Sequence, residues 1–243
     1  MDVVSRTWTW LSTGSHWSGA DGVWHRLAEH LQLTVVCLVL SCAIALPLAI
    51  VLGHTGRGGA LAVNLSNAGR AVPTFAVLVL LTLGPLGTYD SWPTVIALVL
   101  FAIPPLLTNA YVGMREVDRD VVEAARGMGM SGRQVIGRVE LPLAMPLVMT
   151  GVRSAAVQVV ATVSIAAMVG GGGLGRIITA GFRLTDTPQV VAGALLVAAL
   201  ALVVEGAFVA LERWMSRQRR RRARAGRIPD APAEALPAAG SAA

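Results

Sequence analysis

Residues 122–146 read VEAARGMGMSGRQVIGRVELPLAMP. The stretch is polar, yet it lies between two long apolar runs. Glu123, Ala124, Ala125 and Arg126 are all good helix formers. Gly127, Gly129 and Gly132 then interrupt the pattern. Residues 133–141 resume a helical composition, and Pro142 and Pro146 mark the entry into the next apolar run. The pattern predicts a helix, a glycine turn and a second helix, held beside a membrane.

Working outward, the composition supports that setting. The chain has 243 residues, 54% hydrophobic and 14% charged. Soluble domains average about 25% charged. The apolar residues come in long blocks, as in an all-α integral membrane protein. There is no lysine; every basic residue is arginine. A P-loop needs a lysine on the nucleotide phosphates, so this chain holds no such ATP site. Cys37 and Cys42 lie in one apolar run and fit neither a metal site nor a disulfide framework. The four histidines are scattered, so no metal is expected, and no catalytic constellation stands out. The expectation is a protein that is not an enzyme.

Three regions follow. Residues 1–30 carry Trp8, Trp10, Trp17 and Trp24 without the charge pattern of a signal peptide. Trp10, Trp17 and Trp24 are spaced seven apart, which predicts one face of a helix anchored at the membrane–water interface. Residues 31–212 form the membrane domain, with spans expected at about 31–53, 71–87, 94–113, 143–169 and 190–211. The polar loop between the third and fourth spans covers 114–142. Residues 213–243 are basic, then rich in alanine and proline, and are expected to be disordered. The basic part suits anionic lipid headgroups rather than nucleic acid.

Five spans put the termini on opposite sides. With the N-terminus outside, inner segments hold fifteen arginines and outer segments only Arg6, Arg26, Arg176 and Arg183. The positive-inside rule then places residues 122–146 and the C-terminus in the cytoplasm.

Some residues stand out within the spans. Pro104 and Pro105 break the third span near its middle, followed by Thr108 and Asn109. Prolines remove donors and free carbonyls, which polar neighbours must satisfy. The cluster reads equally as a candidate translocation path and as a structural kink with Thr108 and Asn109 bonded to backbone. Thr74, after Pro73, invites the same comment. Residues 170–173 are four glycines, expected to form a hinge or tight turn near the outer face. Arg153 and Glu205 are charges inside the fourth and fifth spans, each roughly 10 Å deep at about 1.5 Å per residue. They form an ion pair or snorkel separately to the cytoplasmic surface.

The loop's spacing is more specific than its shape. Glu123-Ala124-Ala125, three residues, Gly129, nine residues, Val139, one residue, Leu141-Pro142 resembles the EAA loop of ABC-transporter permeases. The departure is Val139, where that signature has isoleucine. Residues 72–81, 103–118, 140–155 and 171–181 extend the likeness to permeases of bacterial osmoprotectant importers, those for glycine betaine, carnitine and choline. The resemblance implies a MetI-like ABC permease architecture in the bacterial inner or plasma membrane. It implies an ABC ATPase subunit carrying ATP and magnesium, with no cofactor on this chain. It further implies a second copy or sister permease and an extracytoplasmic solute-binding protein. Glu123, Ala124, Ala125 and Gly129 would shape the coupling helix, and Val139, Leu141 and Pro142 its return to the membrane. The alternatives are a permease for methionine or another amino acid, and a non-transporting membrane scaffold.

Overall fold

A computed structural model describes residues 2–59, 64, 67–69, 71–89 and 91–225, with side chains described as far as residue 218. Met1, residues 60–63, 65, 66 and 70, Asp90 and the tail from 226 to 243 lie outside the described residues. The helices are α1 (Val3–Ser12), α2 (Val23–Thr55), α3 (Thr74–Leu83), α4 (Trp92–Arg115), α5 (Arg119–Gly127), α6 (Gly132–Val135), α7 (Leu141–Ala166), α8 (Gly175–Leu184) and α9 (Thr187–Ala225). A π-helical turn, Ile136–Glu140, joins α6 to α7. Short 3-10 turns occupy Gly14–His16, Pro85–Thr88 and Ala167–Val169.

Among the described residues, four helical segments are long and apolar enough to cross a membrane: Val23–Thr55, Trp92–Arg115, Gly132–Val169 and Thr187–Gln218. The expected span at 71–87 is different. Its helix, α3, has 10 residues, about 15 Å of rise. Pro73 caps the start of α3 in an extended conformation, and Gly84 ends it likewise. The chain still crosses here, because α2 and α4 run parallel. Cys37 Sγ approaches Val95 O at 4.0 Å, and Ser41 Oγ donates to Val99 O at 3.4 Å, a constant offset of 58 residues. Further along, a Cβ on Gly53 would collide with Met114. Two parallel neighbours joined by residues 56–91 require that segment to return across the bundle.

The seam between α2 and α4 is made of small residues. Cys37, Ser41, Ala45, Ala49 and Gly53 recur every fourth position of α2, and all are buried. Lipid tails are as apolar as leucine, so apolarity alone does not join membrane helices; close backbone approach over small side chains does. Against this seam sit Val95, Leu98, Ala102, Leu106, Ala110 and Met114 of α4, and Ala144, Val148, Ala155 and Val159 of α7. The outward faces of α2 and α9 carry Val35, Val39, Ile44, Val51, Leu195, Leu202 and Val203, all exposed. That inverted pattern suits lipid as the surrounding solvent.

Two further expectations need correction. The basic stretch after residue 212 is helical as far as Ala225, because α9 runs on without a stop signal. Extending a nucleated helix is cheap, and arginine is a good helix former. The tryptophans do not share one helix. Trp10 belongs to α1 and Trp24 to α2, with Gly19 at φ +93° in the turn between them. They still cluster by folding back. Trp17 Nε1 donates to Leu11 O at 2.7 Å, the Trp17 and Trp24 rings are 5.3 Å apart, and Trp10 stacks on His16 at 4.4 Å.

Candidate functional site: the polar loop and the membrane interior behind it

The loop forms the helix, turn and helix that its composition predicts. Asp118 caps α5 by accepting from Asp120 N–H at 2.9 Å. Val122 and Ala125 point inward and are buried, while Glu123, Ala124 and Arg126 are exposed. The helix closes on Gly129, at φ +84°. Met130 N–H donates back to Ala125 O at 3.2 Å across this left-handed residue, the bond pattern of a Schellman cap. Ser131 then opens α6 with a capping box, its N–H donating to Gln134 Oε1 at 2.8 Å. Met128, at the tip, is 78% exposed, an apolar side chain in open water.

The return to the membrane runs through the π turn. Leu141 N–H bonds Ile136 O, one residue further back than in an α-helix. Val139, Leu141 and Pro142 are half-buried there. Between them, Glu140 is wholly buried, and its Oε2 accepts from His54 Nδ1 at 2.6 Å. The spacing motif passes over Glu140; its position just before a Leu-Pro re-entry, beside apolar neighbours, was the available signal.

In the membrane interior, the proline pair of α4 is buried, and Asn109 and Gln158 bond the backbone beside it. Asn109 Nδ2 donates to Pro105 O at 2.8 Å. Pro105 has no N–H, so it frees the carbonyl of Phe101, four residues earlier. Gln158 Nε2 of α7 donates to that carbonyl at 3.2 Å. A Cβ on Gly151 would stand 2.9 Å from Asn109 Cβ, so glycine there lets α7 approach the broken segment. Thr108 is half-buried on the same helix, and Thr74 lies at the start of α3, apart from it. A cavity of about 450 Å³ opens near the N-terminal ends of α2 and α4, lined by Glu29, Gln32, Trp92, Thr94, Gly171 and Arg176 among others. Thr74, Pro104, Pro105, Thr108 and Asn109 do not line it.

Arg153 faces two carboxylates on α9. Its Nε is 3.6 Å from Glu205 Oε1, and its Nη1 donates to Glu212 Oε2 at 3.1 Å. Glu212 is the shorter contact, and placing the span's end at residue 211 hid it. Glu205 and Glu212 are seven residues apart, two helical turns, so both lie on the α9 face toward α7.

A helical bundle with four long apolar spans, a short fifth crossing helix and a capped helix–turn–helix at one end defines a polytopic membrane component. Residues 45–217 match the family described as binding-protein-dependent transport system inner membrane component, and the chain belongs to it. The glycine betaine/carnitine/choline transport system permease protein OpuCB of Bacillus subtilis is 30% identical over 189 residues, 78% of this chain and 86% of the relative. The carnitine transport permease protein OpuCB of Listeria monocytogenes is 34% identical over 198 residues, 82% and 90%. Among solved structures, an inward-facing form of the MetNI methionine ABC transporter superposes with a TM-score of 0.66 at 22% identity, covering 79% of this chain and 94% of that one. That likeness fixes the fold as MetI-like.

Proposed function

We propose that the chain is the permease subunit of an ABC importer for osmoprotectants, quaternary amines such as glycine betaine, carnitine or choline. The observation that carries the reading is the loop: Glu123, Ala124 and Met128 stand exposed on a rigidly capped turn at one end of the bundle. An ATPase subunit, holding ATP and magnesium, docks on that turn from the cytoplasm. A second permease, either another copy or a sister chain, completes the pore. A solute-binding protein delivers the solute outside, so the N-terminus is extracytoplasmic and the C-terminus cytoplasmic. ATP closes the ATPase dimer, the loop moves as a lever, and the spans alternate their access; no bond is made or broken on this chain. The solute class is supported by the names of relatives 30–34% identical over most of their length.

The test is uptake into proteoliposomes holding the permease, its ATPase and its binding protein. ATP-dependent accumulation of labelled glycine betaine, choline or carnitine, with none of methionine, is the expected outcome. Accumulation of methionine alone would reassign the solute. Stable assembly with no uptake of any solute would leave a scaffold.

A further inference from the structure

One end of α2 is pinned to the π turn that precedes α7, the other to α7 near its end and to the glycine turn that follows it, by polar contacts that neither the loop motif nor the apolar seam requires. At the loop end, His54 Nδ1 meets the buried Glu140 carboxylate at 2.6 Å. Glu140 closes the π turn, and its other oxygen has no protein hydrogen-bond partner among the described residues. At the far end, Glu29 Oε2 accepts from Gly173 N–H at 3.0 Å and from Arg26 Nη1 at 2.8 Å. Next to it, His30 is wholly buried. Leu174 N–H donates to His30 Nδ1 at 3.3 Å, which puts the ring proton on Nε2, and Nε2 donates to Val160 O at 3.0 Å. Gly173 stands at φ +83°, and a Cβ there would lie 3.1 Å from His30. The glycine turn is thus moulded onto α2.

From His30 to His54 is about 36 Å along a helix continuous through Pro47. Through Glu29, Gln32, Leu33 and Val36, the outer end of α2 also walls the 450 Å³ cavity. We propose that His54 and Glu140 are positioning residues for coupling: they tie α2 to the loop, so that displacement of the loop is carried by α2 to the glycine turn and the outer cavity. The π turn fits this role, since a wide turn shifts register without losing its helix. Coupling between distant sites needs an element whose position both sites bias, and the doubly pinned α2 is one. The inference rests on the proposed coupling of the loop to an ATPase.

The experiment uses the assembled transporter in proteoliposomes, with a reporter cysteine at Gln32 in a Cys37→Ala, Cys42→Ala background. Thiol labelling of the reporter is compared with and without trapped nucleotide, beside basal and binding-protein-stimulated ATP hydrolysis. In the parent, nucleotide changes the labelling rate. In His54→Leu, that change is lost and stimulation falls about tenfold, within the usual range of allosteric coupling. His54→Asn, whose amide keeps a donor near the Nδ1 position, restores most of both. Glu29→Ala, at the partly exposed outer pin, gives the same decoupling with basal hydrolysis unchanged, and serves if His54→Leu does not assemble. A full nucleotide-dependent change in His54→Leu or Glu29→Ala overturns the proposal and leaves α7 as the carrier. Equal loss in His54→Asn and His54→Leu also overturns it. A parent reporter indifferent to nucleotide overturns the coupling reading itself, and the relay with it.

Discussion

Gly129 stands at φ +84° with open space where a Cβ would project. The demand for glycine is therefore conformational: a left-handed backbone costs an ordinary residue about 1–2 kcal/mol, and a β-branched one more. Gly129→Ala should retain part of the solute-stimulated ATP hydrolysis, and Gly129→Val should abolish it while the protein still reaches the membrane. Normal stimulation in an assembled Gly129→Val complex would remove the lever role. Arg153 gives a second residue-scale test. Arg153→Leu strands both Glu205 and Glu212, whereas Glu205→Leu leaves the 3.1 Å contact to Glu212 intact. A charge at depth costs a few kcal/mol, and stranding a partner costs more than removing a pair. Membrane yield should therefore fall more in Arg153→Leu than in Glu205→Leu. Adding Glu212→Leu to Arg153→Leu should recover part of the loss. Equal defects in the two single variants would show that these charges act separately.

At the scale of elements, what the sequence disclosed follows from how far each interaction reaches along the chain. The loop was legible because its parts are local: helix formers, a left-handed glycine and a proline re-entry act within a few residues of one another. The long spans were legible from apolar length alone. The small-residue stripe of α2 is equally local and was present as Cys37, Ser41, Ala45, Ala49 and Gly53, but apolar length conceals it, since alanine and leucine both read as membrane. The Gln158–Phe101 and His54–Glu140 bonds span 57 and 86 residues and had no local signal. The stripe predicts that Ala45→Leu or Ala49→Leu wedges α2 from α4. Overpacking of that kind costs about 1–3 kcal/mol, and the readout is a lower melting temperature in detergent. Leucine at the lipid-facing Ile44 is the control and should melt as the parent does.

For the whole molecule, the parallel run of α2 and α4 decides the topology. Because residues 56–91 must return across the bundle, the described chain crosses five times, although α3 is only 10 residues long. An odd number of crossings puts α1 and the end of α9 on opposite sides. The proposed orientation rests on the arginines: Arg213 and Arg217 of the basic stretch lie with the loop end, the sparse Arg6, Arg26, Arg176 and Arg183 with the other, and the positive-inside rule favours a cytoplasmic loop. Ser15 and Ser216 are both exposed, at opposite ends of the bundle. In a background without Cys37 and Cys42, Ser15→Cys in intact cells should react with a membrane-impermeant thiol reagent. Ser216→Cys should react only once the membrane is opened. Labelling of Ser216→Cys in intact cells would invert the orientation and put the loop outside, out of reach of a cytoplasmic ATPase. Labelling of both from one side would mean an even number of crossings, and the return across the bundle between α2 and α4 would fall with it.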